Sequence, residues 1–310
     1  MRKILLSSTA LVALGVTGAH AEVSISGGAE FNYQSKEVSG ADSTDTMNGT
    51  QFDYQISFSN TLDNGMSVAG TVNTSEAGVE EVGTTISGDF GTIGFGPLGE
   101  SGDGFATALD VTPDEDTPFT VGTDYTDDPG DEYVAAADIS YKSPNMSGFQ
   151  FALGVGDSGT AEVSTIGGSF ATAMGTTSVT IKYNMSDTTD SANPDKEAQS
   201  IGVVMGMGNA TLTIAQNTLD TGTTEALVST GAALSFVVND SLTLTAYSAN
   251  QSDDKDTAVD VTDNGFGLAY TITPGLKLSV THNELDVQNS STYTTSTAGS
   301  STKAAINVSF

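Results

Sequence analysis

Several residue types are scarce or missing from this sequence. The 310 residues include no cysteine, so the chain can form neither disulfides nor thiolate metal sites. Nine basic residues stand against 39 acidic ones, which argues against nucleic acid as a partner. A membrane-spanning helix needs about 20 consecutive apolar residues, and no apolar run in this sequence is that long. These absences exclude helical membrane proteins and most nucleic-acid-binding proteins.

Histidine is also rare, because only His20 and His282 occur. Metal sites and nucleophilic centres built on histidine are therefore excluded, and among dozens of carboxylates no pair is marked out for acid–base work. We expect no enzyme, no catalytic residue and no cofactor. Asp114-Glu115-Asp116 and the stretch 124–132 could hold Ca²⁺ through carboxylate oxygens, but they lack the spacing and the glycine of a calcium loop.

The N-terminus has the features of a secretory signal. Arg2 and Lys3 precede a mostly apolar run, and Ala19-His20-Ala21 supplies a small-x-small cleavage site. We therefore predict a signal peptide over 1–21 and one exported domain over 22–310. Since both basic residues of the signal leave with it, the mature chain keeps seven lysines and no arginine against all 39 acidic residues.

From residue 22 onward, apolar residues recur at every second position in short segments. In 178–185, for example, Val179, Ile181 and Tyr183 alternate with polar Thr180 and Lys182. This period is typical of a strand with one apolar and one wet face, and no segment sustains the helical period. The low hydrophobic content, 37%, is modest for a filled core of this size.

The connections alternate between tight turns and long polar loops. Turns rich in glycine, asparagine, aspartate and proline occur at 62–65, 88–91, 144–148, 174–175, 208–209, 239–240 and 274–275. Long loops are expected at 37–50, 97–132, 187–197, 219–225, 251–261 and 288–299, with shorter ones near 77–80 and 158–161. Seven turns and eight loops join sixteen strands.

Alternating strands with short connections at one rim and long ones at the other describe a transmembrane β-barrel. A closed barrel pairs every backbone group inside lipid, and sixteen strands leave a lumen too wide for side chains to fill. We therefore predict an all-β, antiparallel barrel around water. Aromatic residues near strand ends are expected in girdles at the membrane interfaces, although β propensity alone would also place them in strands; they are Tyr33, Phe58, Phe90, Tyr141, Phe149, Tyr183, Tyr247, Tyr270 and Phe310.

Three segments resemble the general diffusion porins of Gram-negative bacteria. Residues 87–96 (SGDFGTIGFG) are similar to the turn and strand that lead into the third loop of those porins. Residues 139–149 (ISYKSPNMSGF) resemble the Tyr-x-Ser-Pro-Asn-x-x-Gly hairpin of the family. The end, 305–310 (AINVSF), resembles the family's last strand, and its terminal Phe310 resembles the signal that the barrel-assembly machinery reads.

This resemblance implies a homotrimeric porin in the outer membrane, in contact with lipid and lipopolysaccharide, through which small hydrophilic solutes diffuse. It also implies that the third loop, 97–132, folds into the lumen and constricts the pore. The loop contains no basic residue. Its acidic residues would favour cations over anions at the constriction; those expected to line it are Glu100, Asp103, Asp110, Asp114, Glu115, Asp116 and Asp124.

The mature chain departs from the family because it has no arginine to face the acidic loop. Only lysines could do so, and Lys36, Lys142, Lys182, Lys277 and Lys303 all share the parity of the polar residues. Lys182, Lys303 and Lys36 are the residues expected on the opposing wall, although inward lysines are also what any wet lumen requires.

Two other functions are compatible with parts of the pattern. A barrel could serve mainly as an adhesin, a receptor or a structural surface protein. A secreted β-solenoid could share the composition, but it would need a fixed repeat, and none is present.

Overall fold

The structure, a computed structural model, describes residues 22–38, 43–75, 78–96, 137–157, 159–191, 194–222, 226–253, 260–288 and 298–310. The predicted signal peptide, 1–21, lies outside these residues. Within them no helix is long and apolar enough to cross a membrane.

The described residues form sixteen antiparallel strands in one closed barrel. Each strand pairs with its neighbours in sequence, and β1 pairs with β16, so the predicted all-β barrel is confirmed. The strands are β1 (Glu22–Val38), β2 (Thr44–Thr61), β3 (Ser67–Ser75), β4 (Gly78–Gly88), β5 (Gly91–Phe95), β6 (Ile139–Lys142), β7 (Phe149–Asp157), β8 (Ala161–Met174), β9 (Thr177–Asp190), β10 (Lys196–Met207), β11 (Ala210–Asp220), β12 (Leu227–Asn239), β13 (Leu242–Asp253), β14 (Asp260–Thr273), β15 (Leu276–Gln288) and β16 (Gly299–Ser309).

The two faces of each strand differ as the alternation predicts. On β9, Ile181 is 44% exposed and Tyr183 is 38% exposed, whereas the intervening Asn184 is buried. Large apolar side chains therefore cover the outside of the barrel, and mainly polar or small ones line the inside, together with a few larger ones such as Leu285 and Val261. This arrangement suits a wall that has lipid on one side and water on the other.

The turns at one rim obey the predicted chemistry. The Asn239 side-chain oxygen accepts hydrogen bonds from the backbone N–H groups of Ser241 and Leu242, at 2.9 and 3.1 Å. Glycines with positive φ occupy four other tight turns, at Gly65, Gly175, Gly208 and Gly275. Short connections therefore gather at this rim, which also holds Glu22 and Phe310.

The Ser-Pro-Asn hairpin between β6 and β7 is stabilised by hydrogen bonds from its serine and asparagine. Ser143 donates its backbone N–H to the Phe151 carbonyl at 2.8 Å, and the Ser143 hydroxyl accepts from the Phe151 N–H at 2.9 Å. The Asn145 side chain accepts from the Gly148 N–H at 2.7 Å. The serine and the asparagine of the motif thus each satisfy a backbone donor of the turn.

The long connections at the other rim are shorter than predicted. Strand β2 begins at Thr44, inside the loop expected over 37–50, and β10 begins at Lys196, inside the one expected over 187–197. Ser35 donates its hydroxyl to Asp45 at 2.7 Å across the β1–β2 pair. Acidic and threonine-rich sequence continues the strands here because it pairs with at least one neighbouring strand: Thr44 with Lys36 of β1, and Glu197 with both Asp187 of β9 and Asp220 of β11.

The wall is lowest at β5 and β6, which have five and four residues. At the end of β5, Gly96 has a φ of +89° and donates its N–H to the Asp138 carbonyl at 2.7 Å. A Cβ at this position would collide with the Val82 carbonyl oxygen, so only glycine allows this turn. Strand β5 therefore ends part of the way up the wall, just before the segment predicted to be the third loop.

Candidate functional site

The inner wall of the described barrel carries six lysines: the five predicted to face inward, and Lys196 at the start of β10, which was not among them. Lys142 faces inward beside Thr92 and Ala152, and Lys277 beside Thr271 and Asn307. Lys36, Lys182 and Lys303 also lie on inward positions of their strands. The inward orientation predicted from parity is therefore observed for all five.

The barrel does not gather the three proposed wall lysines at one place. Lys303 on β16 and Lys36 on β1 belong to adjacent strands, and Lys36 lies near the outer end of its strand. Lys182 is on β9, eight strands from β1 in the ring of sixteen. It is seven strands from β16, so Lys182 lies on the opposite side of the barrel from both Lys36 and Lys303.

Lys303 has an acidic partner that the sequence analysis missed. Its Nζ lies 3.0 Å from Oε1 of Glu30 on the neighbouring strand β1. Glu30 has the same parity as Lys36, so its inward position could have been predicted from the alternation of β1. The pairing itself could not, because it depends on the closure of β1 against β16.

The predicted acidic constriction falls outside the described residues. This holds for all seven carboxylates assigned to it: Glu100, Asp103, Asp110, Asp114, Glu115, Asp116 and Asp124. The stretches considered for Ca²⁺ lie outside the described residues as well. Among the residues that the structure does describe, no three acidic, histidine or cysteine side chains come together to hold a metal ion.

The inward side chains are buried on one side of the lumen wall and exposed on another. A row of inward polar residues crosses five adjacent strands, β9 to β13, and all are at most 1% exposed. On β2, by contrast, the inward Asp53 and Gln55 are exposed. The covered row consists of Asn184, Ser200, Asn217, Ser229 and Gln251, and the Ser200 hydroxyl donates to the Asn217 side-chain oxygen.

Tyr247 also belongs to the inner wall, which corrects its predicted place in an interfacial girdle. Its ring lies over Gly265 of β14, and its hydroxyl donates to Oδ2 of Asp263 at 3.0 Å. Tyr247 and Asp263 are both buried. The position of Tyr247 near a strand end suggested a place at the membrane interface, but the alternation of β13 directs its side chain into the barrel.

His282 lies on the outward face, as its position in the alternation indicates. Its Nδ1 is 2.8 Å from the Thr302 hydroxyl, and its ring contacts Phe266. Histidine thus contributes nothing to the lumen of the described barrel.

Comparison with known proteins agrees with this architecture. A family model for Gram-negative porins matches residues 7–290. No curated protein sequence is significantly similar to the chain.

Several solved structures share the barrel. The anion-selective porin from Comamonas acidovorans has a TM-score of 0.65 and 15% identity, covering 94% of this chain and 100% of that one. The trimer form of OmpT, an outer membrane protein of Vibrio cholerae, has a TM-score of 0.63 and 15% identity, covering 94% and 99%. The outer membrane channel DcaP of Acinetobacter baumannii has a TM-score of 0.65 and 12% identity, covering 94% and 97%. At these identities the likeness shows a common fold.

Proposed function

Because the chain belongs to the Gram-negative porin family and is an outer-membrane channel protein, we propose that it conducts small hydrophilic solutes by passive diffusion and favours cations over anions. Solutes would be sorted by size and charge in the lumen, without a catalytic step. Signal-peptide removal at Glu22, delivery through the barrel-assembly machinery and contact with lipopolysaccharide are parts of the same proposal.

The observation that carries the cation preference is the distribution of charge. The mature chain has 39 acidic residues and seven lysines, and six of those lysines already lie on inward positions of the described strands. At least one of the six, Lys303, is neutralised by Glu30. The fold alone does not decide the sign of selectivity, since a protein with the same fold is an anion-selective porin. Charge placement must decide it.

We also propose that the acidic segment 97–132 enters the lumen. The short strands β5 and β6 and the turn at Gly96 support this, because β5 ends and β6 begins below the outer rim of the barrel. The covered inner wall of β9 to β13 supports it too, since an inward side chain of an empty sixteen-stranded barrel would meet water. Carboxylates of this segment would then repel anions at the narrowest point.

A homotrimer is the assembly we propose. Its support is the trimer form known for the Vibrio cholerae relative in fold. Crosslinking of the protein in native outer membranes should yield a product of three chains, and a product of one chain only would contradict it.

Planar bilayers test the channel and its selectivity together. Purified protein should give stepwise conductance, and its reversal potential in a salt gradient should have the sign of cation preference. Absence of conductance from correctly folded protein would favour an adhesin or receptor role. Anion preference would refute the proposed selectivity.

A matched pair of variants tests the acidic segment. The triple change Asp114→Asn, Glu115→Gln and Asp116→Asn should lower the cation-to-anion permeability ratio. The control, Asp253→Asn, Asp254→Asn and Asp256→Asn, removes the same charge from the outer end of β13 and the segment predicted to be an outer loop, and should change the ratio much less. Equal effects of the two triples would show that 97–132 does not line the constriction.

A further inference from the structure

The ion pair between Glu30 and Lys303 is built into the seam that closes the barrel. The Lys303 side chain is 14% exposed and that of Glu30 is 22% exposed, so the pair is held against the wall. Asn32 donates its side-chain N–H to the same carboxylate oxygen of Glu30 at 2.8 Å. The carboxylate is therefore fixed by two donors.

The lysine reaches this carboxylate along the wall. Lys303 pairs directly with Gln34, whereas Glu30 pairs with Asn307, so the two partners are offset by four residues along the strands. Ala305 lies on the inward face between them and is buried. The small side chain of Ala305 leaves room for the lysine stem to lie flat, with its ammonium directed toward the rim of short turns.

A second cation lies nearby. Lys277 on β15 pairs with Asn307, which in turn pairs with Glu30, and Glu30 is attracted to both Lys303 and Lys277. This sector of the inner wall thus has two ammonium groups and one carboxylate. Loss of the carboxylate would double its net positive charge.

We propose that Glu30 contributes to the ion selectivity of the pore by neutralising Lys303 and holding it against the wall. The inference rests on the proposed channel function. The carboxylate on β1 reaches Lys303 because the β1–β16 register places both side chains on the inward face of adjacent strands. Loss of the Glu30 carboxylate adds one unit of positive charge to this part of the wall, which repels cations from the lumen.

The expected effect is measurable at moderate salt. A unit charge about 10 Å from a permeating ion in water changes the ion's Boltzmann weight about twofold. At ~0.1 M salt the screening length is also about 10 Å, whereas at 1 M it is about 3 Å. Reversal potentials should therefore be measured near ~0.1 M.

Three variants test the role of the pair in permeation. Glu30→Gln, which keeps the size of the side chain, should lower the cation-to-anion permeability ratio by about twofold. Lys303→Gln should raise it by a similar factor, and the double variant should return it close to the wild-type value. Unchanged ratios in both single variants would overturn the proposal. Absence of any channel in the wild type would instead refute the proposed function.

A chemical measurement tests the geometry independently of conduction. Folded protein is treated with a water-soluble amine-acylating reagent, and the labelled lysines are identified by mass spectrometry. Lys303 should react slowly in the wild type and several-fold faster in Glu30→Gln, while Lys182 across the lumen should react equally in both. Equal labelling of Lys303 in the two proteins would show that Glu30 does not hold it.

Discussion

Phe310 and Gly27 exchange two backbone hydrogen bonds across the seam between the last strand and the first. The Gly27 N–H donates to the Phe310 carbonyl at 2.9 Å, and the Phe310 N–H donates to the Gly27 carbonyl at 3.0 Å. The Phe310 ring also lies beside the Gly27 backbone. Residue Phe310 is thus joined to the first strand at the rim of short turns.

Substitution of Gly27 by alanine should destabilise this seam. The added Cβ would lie 2.9 Å from the Asp53 carbonyl oxygen and 3.0 Å from the Phe310 ring, both too close for a methyl group. We expect a loss of about 1–3 kcal/mol, measured by urea unfolding in lipid vesicles. Gly28→Ala is the control, since its Cβ meets the Val308 carbonyl oxygen at 3.4 Å. Equal losses in the two variants would contradict the role of the Phe310 contact.

Phe310→Ala separates the proposed assembly signal from the seam. The backbone hydrogen bonds to Gly27 do not need the ring, so the purified variant should still refold into detergent or lipid. In cells its yield in the outer membrane should fall several-fold, because the barrel-assembly machinery would lose the terminal aromatic residue. Equal yields of variant and wild type in the outer membrane would show that Phe310 is not part of the signal.

Tyr247→Phe removes the hydroxyl that donates to the buried carboxylate of Asp263. Loss of a hydrogen bond to a buried charged group costs about 1–3 kcal/mol, and we expect a decrease of that size in unfolding free energy. Tyr270→Phe provides the comparison, because Tyr270 lies on the outward face and is 44% exposed. The hydrogen bond would be shown to be unimportant if both variants unfold at the same urea concentration.

Neighbouring lysine substitutions on β11 test which face meets lipid. Ile214 is outward and 46% exposed, and Thr213 is inward opposite Val204 and Ala233. Ile214→Lys should cost about 2–4 kcal/mol in lipid vesicles, because it places an ammonium group in hydrocarbon. Thr213→Lys should cost much less, since its ammonium can reach water in the lumen. A larger loss for Thr213→Lys would reverse the assignment of the two faces.

Much of the fold could be predicted from local pattern. The period of two assigns Ile181 to the outside and Lys182 to the inside, because successive side chains of a strand point to opposite faces. Turn residues such as Asn239 mark the short rim, because their side chains satisfy nearby backbone donors. The outer ends of the strands are predicted less accurately. Acidic and threonine-rich sequence is typical of loops, but at Thr44 and Lys196 it continues the hydrogen-bonded strands.

The contacts between residues of the lumen wall could not be predicted from the alternation pattern alone. Parity directs Glu30 and Lys303 inward, yet they are 273 positions apart in the sequence, and only the β1–β16 register brings their charged atoms to 3.0 Å. Likewise, Tyr247 could be assigned to an interface until its contacts with Gly265 and Asp263 placed it inside.

Most of the strands, their faces and their turns could therefore be predicted from sequence, since these depend on residues close together in the chain. Which inward charges neutralise each other could not be predicted, because ring closure and strand register set the distances between remote strands. For this protein that difference matters most at the seam beside Phe310. There the closure of the barrel also gives Lys303 its partner.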